Sequence, residues 1–244
     1  MKVTAIIQAR MGSTRLSGKV MKKLFGKTIL QHVIERVSQS ELIDNIVIAT
    51  TNLEKDDKIV EEAKKCDVQY FRGSEDDVLS RYYYAAKENN SDIIVRITSD
   101  CPLIDPNIID EIIEFYKTQN YDIVTNAGAD LLQRTYPRGL DTEVFSFKML
   151  EEAFNCANEK YQREHVTPYI YENRNEIYYY KNKDNFSNYR LTLDTKEDFE
   201  LITNIYENLY KGEHDFYLDE IVQLFNEKPE LTKINEHVEQ KKIK

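Results

Sequence analysis

Residues 3–20 read VTAIIQARMGSTRLSGKV, and the interpretation of the whole chain starts from this stretch. The apolar run Val3–Ile7 predicts a short buried strand. A loop with two glycines and the basic residues Arg15 and Lys19 follows it, and apolar side chains then recur at helical spacing over residues 29–37. Glycines let the backbone approach a ligand closely, and the amino end of a helix attracts anions. The stretch therefore indicates a site for a polyphosphate.

The distribution of charge supports an anionic ligand near the amino end. Residues 1–37 carry eight Lys or Arg and one acid, whereas the whole chain has a formal net charge of −10. We interpret the three lysines of residues 22–27 as ordinary surface side chains. Arg10, Arg15 and Lys19 lie among Gly and Ser directly after a strand, so we expect them to contact the ligand. The loop has neither a P-loop ending nor a G-x-G-x-x-G pattern, so by itself it specifies no kinase, ATPase or dehydrogenase.

Composition places the chain among globular proteins. Its 244 residues are 41% hydrophobic and 31% charged, and no apolar run approaches the roughly 18 residues of a membrane span. Cys66, Cys101 and Cys156 fit neither a disulfide framework nor a zinc site, which favours a reducing cytoplasm. The acidic balance argues against a nucleic-acid partner. We therefore expect one cytoplasmic domain, residues 1–244, that binds no membrane and no nucleic acid.

Strand-like and helix-like segments alternate along most of the chain. The patterns predict further strands at 45–51, 68–71, 92–97 and 122–125, and further helices at 56–65, 76–89, 105–116 and 150–158. This alternation predicts an α/β fold, a single three-layer domain with a mostly parallel mixed sheet covered by helices on both faces. From residue 199 onward we expect helices with a break near Gly212 and a frayed tail over residues 233–244.

The tyrosine-rich segment 176–194 alternates in polarity. This alternation predicts two strands joined by a turn at residues 183–185. An exposed aromatic hairpin would suit a dimer surface, whereas a sheet packed on the protein's own helices is the alternative.

Several functional segments come directly after predicted strands. Asp100 follows the strand 92–97 and precedes a proline, where it could hold a metal or cap a turn. Ligands of such sheets bind beyond the carboxyl ends of the strands. We therefore expect the basic loop, Arg72 and the Asp100 segment to converge on one crevice.

Three later segments carry side chains whose roles stay open at this point. Arg138 lies in a shaped loop between a proline and a glycine, and could pair with an acidic sugar or be a surface arginine. His165 could be a general base or a packing histidine near a helix start. Thr195 and Asp198 have the spacing of a helix-capping pair.

Residues 8–20, QARMGSTRLSGKV, resemble the signature of the cytidylyltransferases that make CMP-activated sugars. That family includes the CMP-ulosonate and CMP-acylneuraminate synthetases, and the resemblance is greatest to its spore-coat polysaccharide branch. Further motifs follow in the family's order: D-x-P-L-I from Asp100, P-x-G-L-D-x-E from Pro137, R-E-H from Arg163 and D-T-x-E-D from Asp194. Ser17 stands where the family usually has Pro, a difference that should affect loop rigidity more than chemistry.

The resemblance implies both a fold and a reaction. The fold would be nucleotide-diphospho-sugar transferase-like, with a small β-rich region for dimerisation or acceptor binding, and the protein would be a homodimer. In the implied reaction, a hydroxyl of an acidic or ulosonic sugar attacks the α-phosphate of CTP and releases pyrophosphate. Asp100 and Asp194 match the family's Mg²⁺ carboxylates, and Arg15 and Lys19 would stabilise the β- and γ-phosphates.

The same resemblance implies two sets of binding residues. The expected nucleotide contacts, with Arg72 as a donor to cytosine, are Gln8, Ala9, Arg10, Gly12, Ser13, Arg72, Ser74 and Ser80. The expected acceptor contacts are Arg138, Asp141, Glu143, Glu164 and His165.

Three alternatives remain open. The first is a nucleotidyltransferase that uses UTP or GTP with a sugar 1-phosphate. The second is a glycosyltransferase that consumes a nucleotide sugar, although no D-x-D pair follows a predicted strand. The third is a nucleotide-sensing module without catalysis, which is disfavoured because every expected charged position is filled.

Overall fold

A sheet of mostly parallel strands forms the centre of the molecule. The computed structural model describes residues 1–128 and 130–240. Its strands, in chain order, are β1 (Val3–Gln8), β2 (Lys23–Leu24), β3 (Lys27–Thr28), β4 (Asn45–Thr51), β5 (Gln69–Gly73), β6 (Ile93–Thr98), β7 (Ile123–Thr125), β8 (Glu143–Ser146) and β9 (Ile177–Tyr179). Seven of them form one sheet in the order β5-β4-β1-β6-β8-β7-β9, and β2 pairs with β3 separately. Within the described residues of the seven-stranded sheet, only β8 runs antiparallel to its neighbours, and β2 and β3 are antiparallel to each other.

The helices lie between and after these strands. They are α1 (Ile29–Val37), α2 (Asp57–Lys65), α3 (Val78–Glu88), α4 (Pro106–Thr118), α5 (Phe147–Cys156), α6 (Lys160–His165), α7 (Pro168–Asn173), α8 (Lys196–Leu209) and α9 (Leu218–Glu227). Short 3₁₀ turns occur at Lys19–Met21, Glu54–Asp56, Leu131–Gln133 and Pro229–Lys233. Among the described residues, no helix combines the length and apolar character needed to cross a bilayer.

Helices cover both faces of the sheet. Successive strand residues point to opposite faces, so Ile7 packs with α1, α2 and α4 while Ile6 packs with α3 and α5. A third core joins α8 and α9 to Leu191 and Leu193. These layers confirm the predicted α/β fold with a mostly parallel mixed sheet. The assignment of residues 1–244 to one domain stays a prediction.

The parallel strands fix where a ligand site can lie. β1, β4, β5 and β6 are mutually parallel, so their carboxyl ends meet at one edge of the sheet. Gln8 at the end of β1 is in register with Thr98 at the end of β6. The loop after β1 therefore lies beside the Asp100 segment, as the sequence predicted.

The predicted hairpin over residues 176–194 is wrong. The segment contributes one short strand, β9, which pairs in parallel with β7 at the sheet edge. Tyr178 and Tyr180 pack on Phe115 of α4, with ring centroids 4.3 and 5.7 Å away. Packing on the protein's own helix, rather than a second strand, therefore accounts for the alternation of the tyrosines.

Two other predictions needed correction. β5 continues through Arg72 and Gly73, which the sequence had placed after its end. The tail was expected to fray from residue 233, yet Asn235 is buried and its side-chain amide donates to Arg190 O and Asp198 Oδ1 at 3.0 and 2.9 Å. Residues 241–244, also assigned to the frayed tail, lie outside the described residues.

Candidate active site

The ammonium group of Lys19 joins two carboxylates from distant parts of the chain. Lys19 Nζ lies 2.7 Å from Asp100 Oδ2 and 2.8 Å from Asp194 Oδ1. Arg15 Nη2 lies 2.7 Å from Asp194 Oδ2. The structure therefore brings together all four side chains that the sequence assigned to catalysis.

The end of β6 positions Asp100. Thr98, the last residue of that strand, donates through Oγ1 to Asp100 Oδ1 at 2.5 Å. The backbone N–H of Leu193 donates to Asp100 O at 2.8 Å. This bond ties the segment that carries Asp194 directly to the edge of the sheet.

The start of α8 positions Asp194. Thr195 and Asp198 form the predicted capping box, and Asp198 Oδ2 accepts the backbone N–H groups of Asp194 and Thr195 at 2.9 Å. Arg190 bridges the two acids, because Nη2 lies 2.8 Å from Asp194 Oδ2 and Nε donates to Asp198 Oδ1 at 2.8 Å. Asp198 is fully buried, so this pairing is shielded from water.

Local charges determine the ionisation of the cluster. Burial by itself would raise the pKa of Asp100, but the charge and hydrogen bond of Lys19 outweigh burial and lower the pKa. Burial would lower the pKa of Lys19, but Asp100 and Asp194 outweigh it and raise the pKa. Both groups therefore carry their charges at neutral pH.

The loop after β1 is anchored by a buried acid that the sequence analysis did not select. The backbone N–H of Met11 donates to Asp56 Oδ1 at 2.7 Å, and Asp56 also accepts a hydrogen bond from Thr51. Gly18 has a left-handed backbone with φ of 61°, and Lys19 opens a 3₁₀ turn directly after it. A glycine adopts this conformation without strain, so position 18 sets the direction in which Lys19 leaves the loop.

The remaining predicted nucleotide residues of the first loop line the same edge. Ala9 is buried, while Arg10 is exposed and has Nη1 3.9 Å from Glu75 Oε1. A Cβ atom at Gly12 would lie 3.2 Å from that same Glu75 oxygen. Ser13 Oγ accepts the N–H of Leu16 at 3.4 Å.

Gln8 shows an unusual feature for a strand-end residue. Its Oε1 is buried and receives no hydrogen bond from the described part of the chain. A buried acceptor without a donor is costly, so a ligand N–H or water at this point would stabilise it.

Arg72, Ser74 and Ser80 lie around the loop between β5 and α3. Arg72 donates through Nε to Thr51 O at 2.9 Å and through Nη2 to Leu53 O at 3.0 Å. Its Nη1 lies 2.7 Å from Asp57 Oδ1. Arg72 therefore clamps the loop after β4, with one protein acceptor at each of its three nitrogens and five N–H groups in all.

The two serines bind their own helix start. Ser74 Oγ accepts the N–H of Asp77 at 3.2 Å, and Ser80 Oγ donates to Asp77 O at 2.8 Å. Asp77 is the amino-terminal cap of α3. Ser74 is exposed, whereas Ser80 is half-buried.

The predicted acceptor residues fall into two groups. Arg138 and Arg190 line a cavity of about 320 Å³ together with Asn235 and Gln240. Burial and the nearby positive charges of Arg134 and Arg190 lower the pKa of Arg138. A bound anion would therefore stabilise the charged guanidinium. Asp141, in contrast, is paired with Arg134, with Nη1 2.6 Å from Oδ1.

Glu143, Glu164 and His165 form the second group, at the start of β8 and at the end of α6. Glu143 is buried and paired with Arg96 of β6, and its Oε1 accepts from Thr167 Oγ1 at 3.0 Å and Tyr171 OH at 2.5 Å. Its described contacts are therefore internal, and a contact with substrate stays a prediction. Glu164 and His165 are half-buried at the end of α6.

The family model for cytidylyltransferases matches residues 4–240. The chain belongs to the cytidylyltransferase family. The protein MJ1063 of Methanocaldococcus jannaschii, described as uncharacterized, is 41% identical over 99% of this chain and 97% of its own length. The spore coat polysaccharide biosynthesis protein SpsF of Bacillus subtilis is 36% identical over 92% of this chain and 94% of its own. A cytidylyltransferase structure from Leptospira borgpetersenii is 39% identical with a TM-score of 0.89, covering 95% of this chain and 97% of that one.

The resemblance to cytidylyltransferases that make CMP-sugars implies a divalent cation, and the donor set here fits one. Asp100 and Asp194 aim carboxylate oxygens at a single point, which in this structure is the Lys19 ammonium. Hard cations such as Mg²⁺ prefer oxygen ligands of this kind, usually one or two carboxylates together with phosphates. The same two acids therefore suit either a lysine or a divalent ion.

Arg190, Asp198 and Asn235 form contacts with the Asp194 side of the cluster that the sequence analysis missed or read only as structural. Asn235 donates to both the Arg190 backbone and Asp198, so the tail contacts the residues that hold Asp194. Glu239 O also accepts from Arg15 at 3.4 Å, and Gln240 Oε1 accepts from Arg190 at 2.6 Å. The polar tail has no periodic pattern, so no sequence signal marked these contacts.

A second group of potential metal ligands lies outside this site. His32 Nδ1 faces His214 Nε2 at 2.9 Å, and the other His32 nitrogen faces Leu24 O at 2.8 Å. His214 Nδ1 lies 3.4 Å from Glu35 Oε2, which is also 2.7 Å from Lys27 Nζ. The two nitrogens of His214 face different partners, and the carboxylate is already paired. His214, His32 and Leu24 O therefore form a hydrogen-bonded chain.

Proposed function

We propose that this cytidylyltransferase transfers CMP from CTP to a hydroxyl of an acidic or ulosonic sugar, giving a CMP-sugar and pyrophosphate. The observation that carries the proposal is the cluster of Arg15, Lys19, Asp100 and Asp194 beyond the ends of β1 and β6. Family membership supports CTP as the donor. The name of the SpsF relative supports a product that is used in polysaccharide synthesis.

The chain's own residues would act mainly by positioning and electrostatics. Arg15 and Lys19 would contact the β- and γ-phosphates and stabilise the charge that develops on the leaving pyrophosphate. Arg190 and Asp198 would hold Asp194 in place during the reaction. Asp100 and Asp194 would hold Mg²⁺. The bound ion would neutralise charge on the α-phosphate and orient the in-line attack.

The nucleoside would lie along the loop after β1. Gln8, Ala9, Arg10, Gly12 and Ser13 would form its wall, and the buried Gln8 Oε1 without a donor supports a polar ligand contact there. Arg72, which has N–H groups beyond its three protein contacts, would read the base together with nearby main-chain groups. Ser74 and Ser80 would shape the same loop.

The sugar would bind between the cavity at Arg138 and the end of α6. Arg138 would pair with an acidic group, and Glu164 and His165 would contact hydroxyls from the other side. Asp141 and Glu143 would act through their internal pairs with Arg134 and Arg96.

We also propose a cytoplasmic homodimer. Leu131 and Leu132 are 58% and 92% exposed and lie near β9, since Asp130 N–H donates to Tyr179 OH at 3.4 Å. An exposed apolar pair beside an edge strand is a suitable contact for a second copy.

The test is an assay with Mg²⁺ of pyrophosphate release from each of the four nucleoside triphosphates with a panel of acidic sugars and sugar 1-phosphates, and of the hydrolysis of nucleotide sugars. We expect release with CTP and at least one acidic sugar, and loss of release in Asp100→Ala and Asp194→Ala. Turnover of UTP or GTP with a sugar 1-phosphate would instead support the first alternative. Nucleotide binding without turnover of any sugar would favour a sensing module, and hydrolysis of a nucleotide sugar would favour a glycosyltransferase.

A further inference from the structure

Every carboxylate oxygen of the two predicted metal ligands already has a donor. Asp100 Oδ1 accepts from Thr98 and Oδ2 from Lys19, at 2.5 and 2.7 Å. Asp194 Oδ1 accepts from Lys19 at 2.8 Å, while Oδ2 lies 2.7 Å from Arg15 and 2.8 Å from Arg190. An ionised carboxylate has about four lone-pair sites, so a cation that approached these acids would share them with partners already bound.

Lys19 occupies the position that a bridging metal ion would take. It is the side chain that contacts both acids, and its ammonium lies at the point where the two carboxylates converge. At Asp194, Arg15 and Arg190 contact Oδ2, whereas Lys19 contacts Oδ1. An ion that bridged Asp100 and Asp194 would therefore have to exchange with Lys19.

The charges of the cluster are balanced. Arg15, Lys19 and Arg190 face three acids, which are Asp100, Asp194 and Asp198. Adding a divalent ion alone would leave an excess of positive charge in a largely buried group, which is costly in a medium of low dielectric constant. A triphosphate brings negative charge with the ion, and so removes that cost.

Lys19 is able to make the exchange. A lysine carries its charge on a flexible four-carbon stem, and its ammonium can move from carboxylate to phosphate oxygens. Lys19 leaves the loop directly after the left-handed Gly18, on the same side as Arg15, which contacts the same acid. The side chains of Arg15 and Lys19 could therefore move from Asp194 to the phosphates.

We propose that Lys19 makes the metal site specific for the metal–nucleotide complex over the free ion. Its ammonium competes with a divalent ion for Asp100 and Asp194 until a triphosphate draws it away. This inference rests on the proposed function, since it requires that the nucleotide and the ion bind at this cluster. The coupling is reciprocal, so the ion must raise nucleotide affinity by the same factor as the nucleotide raises ion affinity.

The test is a measurement of Mn²⁺ binding by electron paramagnetic resonance, with and without CTP and with no sugar present. In the wild-type protein we expect weak binding of Mn²⁺ alone and binding at least about tenfold tighter with CTP. In Lys19→Met we expect Mn²⁺ alone to bind at least about tenfold tighter than to the wild type, and the enhancement by CTP to shrink. Lys23→Met, an exposed lysine outside the cluster, should behave as the wild type does.

Two further variants keep the test decisive. Lys19→Gln serves if Lys19→Met does not fold, and Lys19→Arg, which keeps the charge, should retain weak binding of the free ion. The tight binding gained in Lys19→Met must disappear when Asp100→Asn is added. If it persists there, the ion binds elsewhere and the proposal is overturned.

The outcomes separate this inference from the proposed function. Unchanged or weaker binding of Mn²⁺ alone in both Lys19→Met and Lys19→Gln would overturn the role of Lys19, even if CTP and Mn²⁺ bind together. Failure of the wild-type protein to bind CTP with or without Mn²⁺ would overturn the proposed function itself.

Discussion

Arg190 fixes two of the acids on which the site depends. Its guanidinium spans Asp194 and Asp198, and all three side chains are largely buried. The planar fork of an arginine can bind two carboxylates at once, which a lysine cannot do with the same geometry. Sequence reasoning selected Asp194 by its motif but gave no role to Arg190, because one arginine within a tyrosine-rich segment carries no local signal.

Loss of this bridge should reduce stability more than loss of a surface pair. We expect Arg190→Met to lower the free energy of unfolding by about 3 kcal/mol, since it leaves buried carboxylates unpaired. The control is Arg174→Met, because Arg174 and Glu152 form a more exposed pair whose loss should lower the free energy of unfolding much less. Urea unfolding at pH 7 measures both. Equal losses in the two variants would contradict the importance of the Arg190 bridge.

At the scale of elements, the turn between α6 and α7 has the most distinctive backbone. Val166 has φ of 73° and ψ of −57°, and the N–H of Thr167 donates to His165 O at 2.9 Å, which together define a γ-turn. A β-branched residue in this region is strained, so the surroundings must hold it. The Thr167 hydroxyl supplies one such contact by donating to the buried Glu143.

Removal of that hydroxyl should loosen the turn. We expect amide hydrogen exchange of residues 165–167 to be about tenfold faster in Thr167→Val, because the strained turn loses a buried restraint. Thr167→Ser should restore the wild-type rate. Thr203→Val removes a hydroxyl of α8 that bonds to Phe199 O, and it should leave the turn unchanged. Exchange at wild-type rates in Thr167→Val would show that other contacts hold the turn.

The elements were predictable where the pattern was strong. β1, α1 and β4 follow the predicted bounds to within a residue, because buried parallel strands and amphipathic helices leave clear apolar periods. The prediction of a hairpin over residues 176–194 was wrong because the tyrosines there alternate for packing on α4. Periodicity does not show whether a strand or a helix packs against the alternating side chains. The use of the Arg72 donors was also not predictable, since it depends on where the loop after β4 places its carbonyls.

At the scale of the whole molecule, buried histidines couple stability to pH. Burial and the nearby charges of Arg36 and Lys27 lower the pKa of His214 to about 3. Burial also lowers the pKa of His32, to which His214 is hydrogen-bonded. The unfolded chain therefore binds protons at these groups that the folded chain does not, and stability must fall as the pH drops below about 6.5.

The size of this effect can be measured by substitution. For His214 alone we expect a loss of about 2 kcal/mol in the free energy of unfolding between pH 7 and pH 5. Over the same interval, the free energy of unfolding of His214→Gln should fall by about 2 kcal/mol less than that of the wild type. His237→Gln is the control, because His237 is exposed. Identical pH dependence in the wild type and His214→Gln would contradict a neutral buried His214.

The central claim is that a triphosphate and a divalent ion bind together between the loop after β1 and the acids Asp100 and Asp194. The most direct measurement is a crystal structure with Mn²⁺ and a non-hydrolysable CTP analogue, in which anomalous scattering locates the ion. The account predicts Mn²⁺ bound to Asp100 and Asp194, with Arg15 and Lys19 on the phosphates. A triphosphate bound away from Arg15 and Lys19, or an ion that contacts neither acid, would contradict it.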